Sequence, residues 1–463
     1  MKWLPKHAWA GLAIFCAVVL RLYDIHAHPH IMGDALVYGD LATNLLKHHT
    51  FGLTEADGLR FTLIRLPGYP LLIAACFSVF GIANYTSLLL LQLLIDVATC
   101  ILLAVLATRL MGRRAGICAL WLSALCPFTA LYVAAGYTET VSIFCIALAF
   151  LSLERWQARH ASTLWLCTLA PTLSFACLLR PDRTLLAATI LCAMAWLAWN
   201  SPQRRLRLSH LAITCVVILL PLTIWTARNW HTFHVFQPLA PRFANDPGEL
   251  VYYGFQRWYR TWAIDFKSTD NIYWNFDGDT LSIDDLPTRA FDSPQQRSAT
   301  AAIFDDYNKT VTANLALDAR FAQLAAERVH QHPLRYYVLL PIARVANMWL
   351  RPRTELIAVP LAWWSFSQDP LGCAKAAAFG LINLAYLALA ANGVWRWRRQ
   401  GWSSRRALGY AIVAFILLRS AMLLTMDNSE ARYTMDCYPL VILLASFSLA
   451  GSRRGSHSAP EPQ

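Results

Sequence analysis

Residues 85–108 read YTSLLLLQLLIDVATCILLAVLAT, a run in which Asp96 is the single charged residue. A helix of about 20 mainly apolar residues crosses a hydrocarbon core of about 30 Å, so this stretch is long enough to span a bilayer. Further segments of similar character lie at 8–22, 115–135, 140–153, 163–178, 184–199, 208–226, 336–350, 373–394, 407–425 and 437–451. Backbone donors and acceptors in lipid must pair inside their own segment or around a closed barrel, and no two-residue alternation suggests a barrel. Of the 463 residues, 57% are hydrophobic and 15% charged, more apolar surface than a soluble domain can hide. The expectation is an all-α polytopic membrane protein of roughly 11–13 transmembrane helices.

Lys2 and Lys6 precede the first span and no small-residue cleavage site follows it, so it reads as a retained signal anchor. The twelve cysteines fall in or beside apolar segments, which predicts buried thiols and no disulfide framework or zinc cluster.

Arginine clusters follow alternate spans: Arg109, Arg113 and Arg114; Arg155 and Arg159; Arg204, Arg205 and Arg207; Arg396, Arg398, Arg399, Arg405 and Arg406; Arg453 and Arg454. By the positive-inside rule they mark the cytoplasmic face, and the net charge of +12 is a topology signal without implication for nucleic acid. The predicted organisation is a transmembrane module over 1–226 with a first external loop at 23–84, an external loop subdomain over 227–335, a second transmembrane module over 336–451 and a cytoplasmic tail at 452–463. Parity requires 336–367 to return to the outside, as a hairpin broken near RPRTE or as a surface helix. PGYPLLIAACFSVFG, 67–81, reads as an external juxtamembrane or re-entrant helix.

This topology gathers Asp34, Arg65, Glu139, Arg180, Arg183, Arg228, Glu430, Arg432 and Tyr433 on the external face. Ionisable groups at span ends snorkel, pair or bind something. In GDALVYGDLATNLL, helical spacing puts Asp34, Tyr38, Leu41 and Leu45 on one stripe and Asp40, Asn44 and Lys47 on the solvated one. Position alone would equally make Asp34 an N-cap, and Glu139 a simple helix-start charge. Arg180 in LLRPDRT and Arg228 in WTARNW are snorkelling arginines or anion clamps, since guanidinium pairs bidentately with phosphate. HAHPH, with His26, His28 and His30, offers a conceivable metal site beside Asp34 but has no paired cysteine or HExxH spacing, and NFDGDTL, which also fits an Asp-x-Asp metal motif, reads as a turn; no cofactor or metal is predicted.

The ordered series GDALVYGDLATNLLKHHTFG, RLPGYPLLIAACFSVFG, GYTET, LLRPDR, PLTIWTARNW and ARYTMDCYP resembles the GT-C superfamily of membrane glycosyltransferases, in the branch akin to bacterial protein O-mannosyltransferases and the lipid A aminoarabinose transferase. The resemblance implies a GT-C fold and an enzyme of a bacterial inner membrane that moves a sugar from a polyprenyl-phosphate donor to an envelope glycolipid, polysaccharide or protein at the periplasmic face. It places the catalytic residues at Asp34, the general base, and at Glu139, the acidic residue of the second external turn, which helps to position the acceptor or sugar. It also makes Arg65 the basic residue near the proline. Tyr38, Arg180, Arg228, Glu430, Arg432 and Tyr433 complete the expected substrate- and phosphate-binding set. Two departures stand out: Ala35 follows Asp34 where many relatives have a second acid, and Arg65 precedes Pro67 by two positions where some have an adjacent lysine. The rival readings are a lipid or sugar flippase, which should show polar mid-span groups and repeated halves, and an O-antigen polymerase or ligase using a diphosphate-linked donor.

Overall fold

A computed structural model describes residues 6–159, 161–399 and 405–450. Lys2, Arg453, Arg454 and the tail at 452–463 lie outside the described residues. The chain is mostly helical: α1 Lys6–Ala27, α2 Asp34–His48, α3 Gly68–Phe80, α4 Tyr85–Met111, α5 Arg113–Ala124, α6 Pro127–Val133, α7 Glu139–Ala158, α8 Thr163–Leu179, α9 Thr184–Trp199 and α10 Arg204–Phe233. The middle of the chain adds α11 Tyr253–Arg260, α12 Phe266–Ser268, α13 Pro294–Asn308 and α14 Leu315–Gln331, and the last part α15 Leu340–Leu350, α16 Pro370–Arg399, α17 Arg406–Leu423 and α18 Tyr438–Leu449. Among the described residues seven helices are long and apolar enough to cross a membrane, or eight if the bent pair α5 and α6 counts as one span; α3 and α8 are shorter apolar helices. This is a multi-pass membrane protein.

The bend between α5 and α6, 52°, has a cause in the sequence. Pro127 has no N–H to donate, so carbonyls at the end of α5 lose helical partners. Arg21 of α1 supplies them: its Nη2 donates to Ser123 O at 2.9 Å and its Nη1 to Ala124 O. Asp96, the lone carboxylate of the opening run, neutralises that arginine at 2.8 Å, with both side chains buried. Gln92, one turn earlier on α4, donates to Val133 O and Ala135 O and accepts from Tyr69 of α3 at 2.9 Å. The polar groups inside α4 therefore hold a broken helix together. Their satisfied geometry also fixes the 133–137 turn, which pairs with His30.

Three features differ from the sequence expectation. A two-stranded hairpin, β1 Gly52–Glu55 and β2 Gly58–Phe61, interrupts the helical first loop. Its Thr54 gives both its N–H and its hydroxyl to Asp40, at 2.7 and 2.8 Å, and Asn44 is buried with its amide on Gly52 O, so the stripe assigned to solvent is the hairpin's seat. The region 336–367 is neither hairpin nor surface helix throughout: α15 ends at Leu350 and an irregular segment runs from Arg351 to Asp369 before α16. α3 comes so close to α8 that a Cβ on Gly68 would sit 2.7 Å from Leu178 O, which explains a glycine at that position.

Residues of α11 to α14 bury an aromatic core of their own. Phe255 stacks on Phe276 with centroids 3.7 Å apart, and Trp258 meets Trp262 edge-on at 5.3 Å. Arg328, fully buried there, is satisfied by Thr261, Gln296 and the carbonyl of Arg289. Thr269 accepts from Ser429 N at 3.1 Å, and Asp427 pairs with Arg242 and Arg260, so this layer is tied to the 427–429 segment. That attachment carries Phe266, Asp270 and Trp274 to the rim of a cavity.

Candidate active site

Gly33, at φ 54°, is the residue that precedes α2, and no side chain caps the helix. Asp34 is thereby released from a capping role. Its Oδ1 accepts from Arg65 Nη2 at 2.7 Å and its Oδ2 from Arg432 Nη1 at 3.1 Å. Arg432 also pairs through Nε with Glu430 Oε2 at 2.5 Å, and Glu430 accepts from the Tyr433 hydroxyl at 2.5 Å. Tyr38, one turn beyond Asp34, lies buried with its ring centroid 5.9 Å from the Arg65 guanidinium.

Two buried arginines fix the backbone on both sides of Arg432. Arg353 donates to Ala431 O at 2.9 Å, and Arg419 donates to Tyr433 O at 3.0 Å. Arg419 is in turn compensated by Asp182 and by Asp436 at 2.7 Å, and Arg183 bridges the same two carboxylates. Removing both charges of such an interior pair from water is costly, so the cluster persists because every member has partners. The backbone on both sides of Arg432 is held in place by these bonds.

Asp34, Glu430 and Arg432 line a cavity of about 640 Å³ together with His30, Tyr132, Tyr137, Phe266, Asp270, Trp274 and residues of the 351–361 segment. Glu139 is buried behind this wall, where it accepts from Arg180 at 3.2 Å; Arg180 lies 5.9 Å from the Tyr433 ring centroid and also pairs with Asp182. The sequence-predicted residues are thus brought into one network, with Arg228 the exception. Its guanidinium donates to Thr62 O and Phe51 O, both at 2.8 Å, and packs against Phe51, Trp225 and Phe233, so it braces the first loop away from the phosphate-binding role expected for it.

Burial by itself would raise the Asp34 carboxyl, but Arg432 and then Arg65 outweigh it and hold the group well below the usual carboxylate range. Arg432 is pushed the other way: burial lowers it, and Glu430, Tyr433 and Asp34 together carry it well above its ordinary value. His30 is lowered by burial and by Arg432, which keeps the imidazole neutral near pH 7. The resting site is therefore a carboxylate clamped by two permanent cations. Such an aspartate is a weak base until something competes for its arginines.

Among the described residues no group of three or more His, Cys, Asp or Glu is placed to hold a metal ion. The histidines of HAHPH diverge, His28 toward Tyr23 and His30 toward Tyr137. Asp277 of NFDGDTL accepts from Ala313 N at 2.7 Å, a tie across 36 residues, and Asp279 accepts locally from Thr280 N. The residues that sequence reasoning missed are Tyr132, Tyr137, Arg351 and Glu355, and the one visible signal was the charged RPRTE run in an apolar region.

Residues 65–225 match the family model described as dolichyl-phosphate-mannose-protein mannosyltransferase. No curated protein matches the chain. Among solved structures, the Archaeoglobus fulgidus oligosaccharyltransferase tethered with an acceptor peptide aligns at TM-score 0.52 and 12% identity, over 97% of this chain and 50% of that one. The chain thus spans about half the length of that relative. ArnT from Cupriavidus metallidurans aligns at TM-score 0.42 in the apo state and 0.40 when bound to undecaprenyl phosphate, each at 14% identity over 96% of this chain and 78% of that one.

Proposed function

Because this multi-pass membrane chain has the GT-C glycosyltransferase fold, we propose that it transfers a sugar from a polyprenyl-phosphate donor to an acceptor hydroxyl, in a cavity facing the periplasm of a bacterial inner membrane. The observation that carries the reading is Asp34 held between Arg65 and Arg432 at a cavity large enough for a sugar and part of its acceptor. Support for the donor class comes from the dolichyl-phosphate-mannose description of the family that residues 65–225 match. The acceptor class is an envelope glycolipid, polysaccharide or protein. Support for the orientation comes from the arginine clusters at the opposite ends of the spans.

The geometry suggests how a weak base becomes a working one. A lipid phosphate is a better partner for guanidinium than a single carboxylate oxygen, so donor binding draws Arg65 and Arg432 toward the phosphate. Asp34 then loses its two counterions, its proton affinity rises, and it takes the proton from the acceptor hydroxyl. The acceptor oxygen forms its bond to the anomeric carbon as the bond from that carbon to the phosphate oxygen breaks. The arginines hold the charge that the leaving carrier phosphate retains. One displacement inverts the anomeric centre. Glu139 acts behind the site by holding Arg180.

A flippase reading finds less support, because Asp96, the mid-span carboxylate, is paired with Arg21 at 2.8 Å. The direct test is incubation of the purified chain in nanodiscs with undecaprenyl-phosphate-linked sugars and envelope acceptors. Release of carrier lipid with a glycosylated product of inverted configuration is expected. Product that retains the donor configuration would overturn the one-step mechanism, and movement of donor lipid between leaflets without sugar transfer would overturn the enzyme reading.

A further inference from the structure

Phe266, Asp270 and Trp274 recur at every fourth position of one short helical run, and all three line the cavity. The residues between them hold that run in place. Thr269 accepts from Ser429 N, Asn271 donates to Asp285 at 2.9 Å, and Ile272 is buried in the aromatic core of α11 to α14. The stripe of Phe266, Asp270 and Trp274 is thus pinned against the cavity by its neighbours.

Asp270 differs from the other carboxylates of the wall. Asp34 is clamped by Arg65 and Arg432, Glu430 is paired with Arg432, and Glu355 accepts from Tyr132. Asp270 is half-buried, yet among the described residues nothing donates to its side chain and no cation stands within 4.0 Å of it. Burial raises its carboxyl, and no neighbouring charge offsets the effect. Its oxygens are not among the sealed polar atoms of the fold, so they are open to a molecule in the cavity. One helical turn on, Trp274 is 48% exposed and meets Phe266 edge-on at 5.3 Å. A half-buried carboxylate without a partner is costly, and an indole left beside it adds apolar surface that water serves poorly.

A carboxylate only accepts, so the group that completes Asp270 must donate. A phosphate or carboxylate would oppose it, and a lone serine or threonine hydroxyl would leave one oxygen and the indole unused. A sugar ring offers neighbouring hydroxyls for both carboxylate oxygens and C–H surface for Trp274. The side of the cavity also matters. Arg65 and Arg432 stand where α3 and α18 begin, and a donor anchored by its lipid chain lies toward those helices, whereas the stripe belongs to the layer of α11 to α14. We infer that Asp270 and Trp274 form the acceptor subsite, and that the acceptor is an uncharged saccharide whose ring lies against Trp274 while two neighbouring hydroxyls donate to Asp270. The inference rests on the polyprenyl-phosphate reading above and selects, from its acceptor classes, a glycolipid or polysaccharide over a protein.

The test is equilibrium binding to the full chain in lipid nanodiscs. Undecaprenyl phosphate, bare and carrying mannose or glucose, is measured first. Soluble probes are then titrated onto the chain loaded with the bare carrier: maltose, cellobiose, methyl mannoside, glucose 6-phosphate, N-acetyl-threonine amide and tetramethylammonium. At least one neutral sugar should bind about tenfold more tightly than the other three probes, the size expected for a hydrogen bond to a charged group. Asp270→Asn, which is isosteric, and Trp274→Ala should each weaken that binding about tenfold, with all carrier affinities and the melting temperature as in wild type. Sugar affinity unchanged in Asp270→Asn overturns the acceptor subsite alone. So does a wild type that binds no neutral sugar, or that prefers the phosphate, the threonine derivative or the ammonium. An Asp270→Asn variant that loses affinity for the sugar-bearing carriers in parallel would put Asp270 on the donor side and overturn it as well. A wild type that binds none of the three carriers overturns the polyprenyl-phosphate reading and the acceptor role with it.

Discussion

Arg432 Nη1 stands 3.1 Å from Asp34 Oδ2, although 398 residues separate them in the chain. Asp34 opens a helix of the first loop, and Arg432 sits in the 3-10 turn that leads into α18. The contact closes the site between the two ends of the sequence. In the mechanism proposed above it also sets the chemistry, since the same guanidinium that depresses Asp34 is the one a phosphate would take.

Asp34→Asn should lower turnover by about 10²- to 10⁴-fold, the range of a lost general base. Bare undecaprenyl phosphate should bind at least as tightly as to wild type, because both arginines lose their competitor. Calorimetric binding beside a carrier-release assay separates the two effects. Turnover within tenfold of wild type would remove Asp34 from the mechanism.

Arg65→Met and Arg228→Met should behave as opposites. Arg65 touches Asp34, so its loss should weaken affinity for bare undecaprenyl phosphate by about tenfold or more. Arg228 holds two loop carbonyls, so its loss should cost about 1–3 kcal/mol of stability and leave lipid affinity unchanged. Thermal unfolding and lipid binding on both variants decide the matter. A larger affinity loss in Arg228→Met would restore it to the phosphate site.

The pH profile should show a shift on donor binding. In the free protein Asp34 is depressed by Arg432 and Arg65, so the acid limb of kcat/KM should lie well below the usual aspartate range. In the donor complex the arginines face the phosphate, Asp34 rises, and the acid limb of kcat should lie at higher pH. Arg65→Met should raise the limb of kcat/KM toward that of kcat. The sign for stability follows from the same depression: the clamp contributes fully above the ordinary aspartate value and is lost only as pH falls through the lower folded one. Coincident acid limbs in the wild type would count against release of Asp34 by the donor.

Asp436→Asn should destabilise the fold by about 3–5 kcal/mol, because it leaves Arg183 and Arg419 sharing Asp182 in a buried cluster. Since Arg419 holds Tyr433 O, lipid affinity should fall as well, through displacement of Arg432. Melting temperature and lipid binding measured together report both. An unchanged melting temperature would show that the cluster is not needed to hold the segment.

The class of fold was legible because lipid leaves a backbone few options: long apolar runs such as 85–108 must become helices whatever else surrounds them. That Asp34, Arg65, Arg180, Glu430 and Arg432 belong together was legible for a related reason, since charged residues beside apolar runs gather where the runs end. Sequence also marked Asp96 as unusual, without giving its partner. Side-chain pairing over long separations was out of reach, because it depends on how helices pack and where they break. Only the tertiary structure decided that Pro127 frees carbonyls for Arg21, that Arg228 braces a loop, that Asp40 seats a hairpin, and that Arg351 and Glu355 join the cavity wall. Periodicity assigns a residue to a face of its own helix, whereas the partner it meets there is set by packing across the whole bundle.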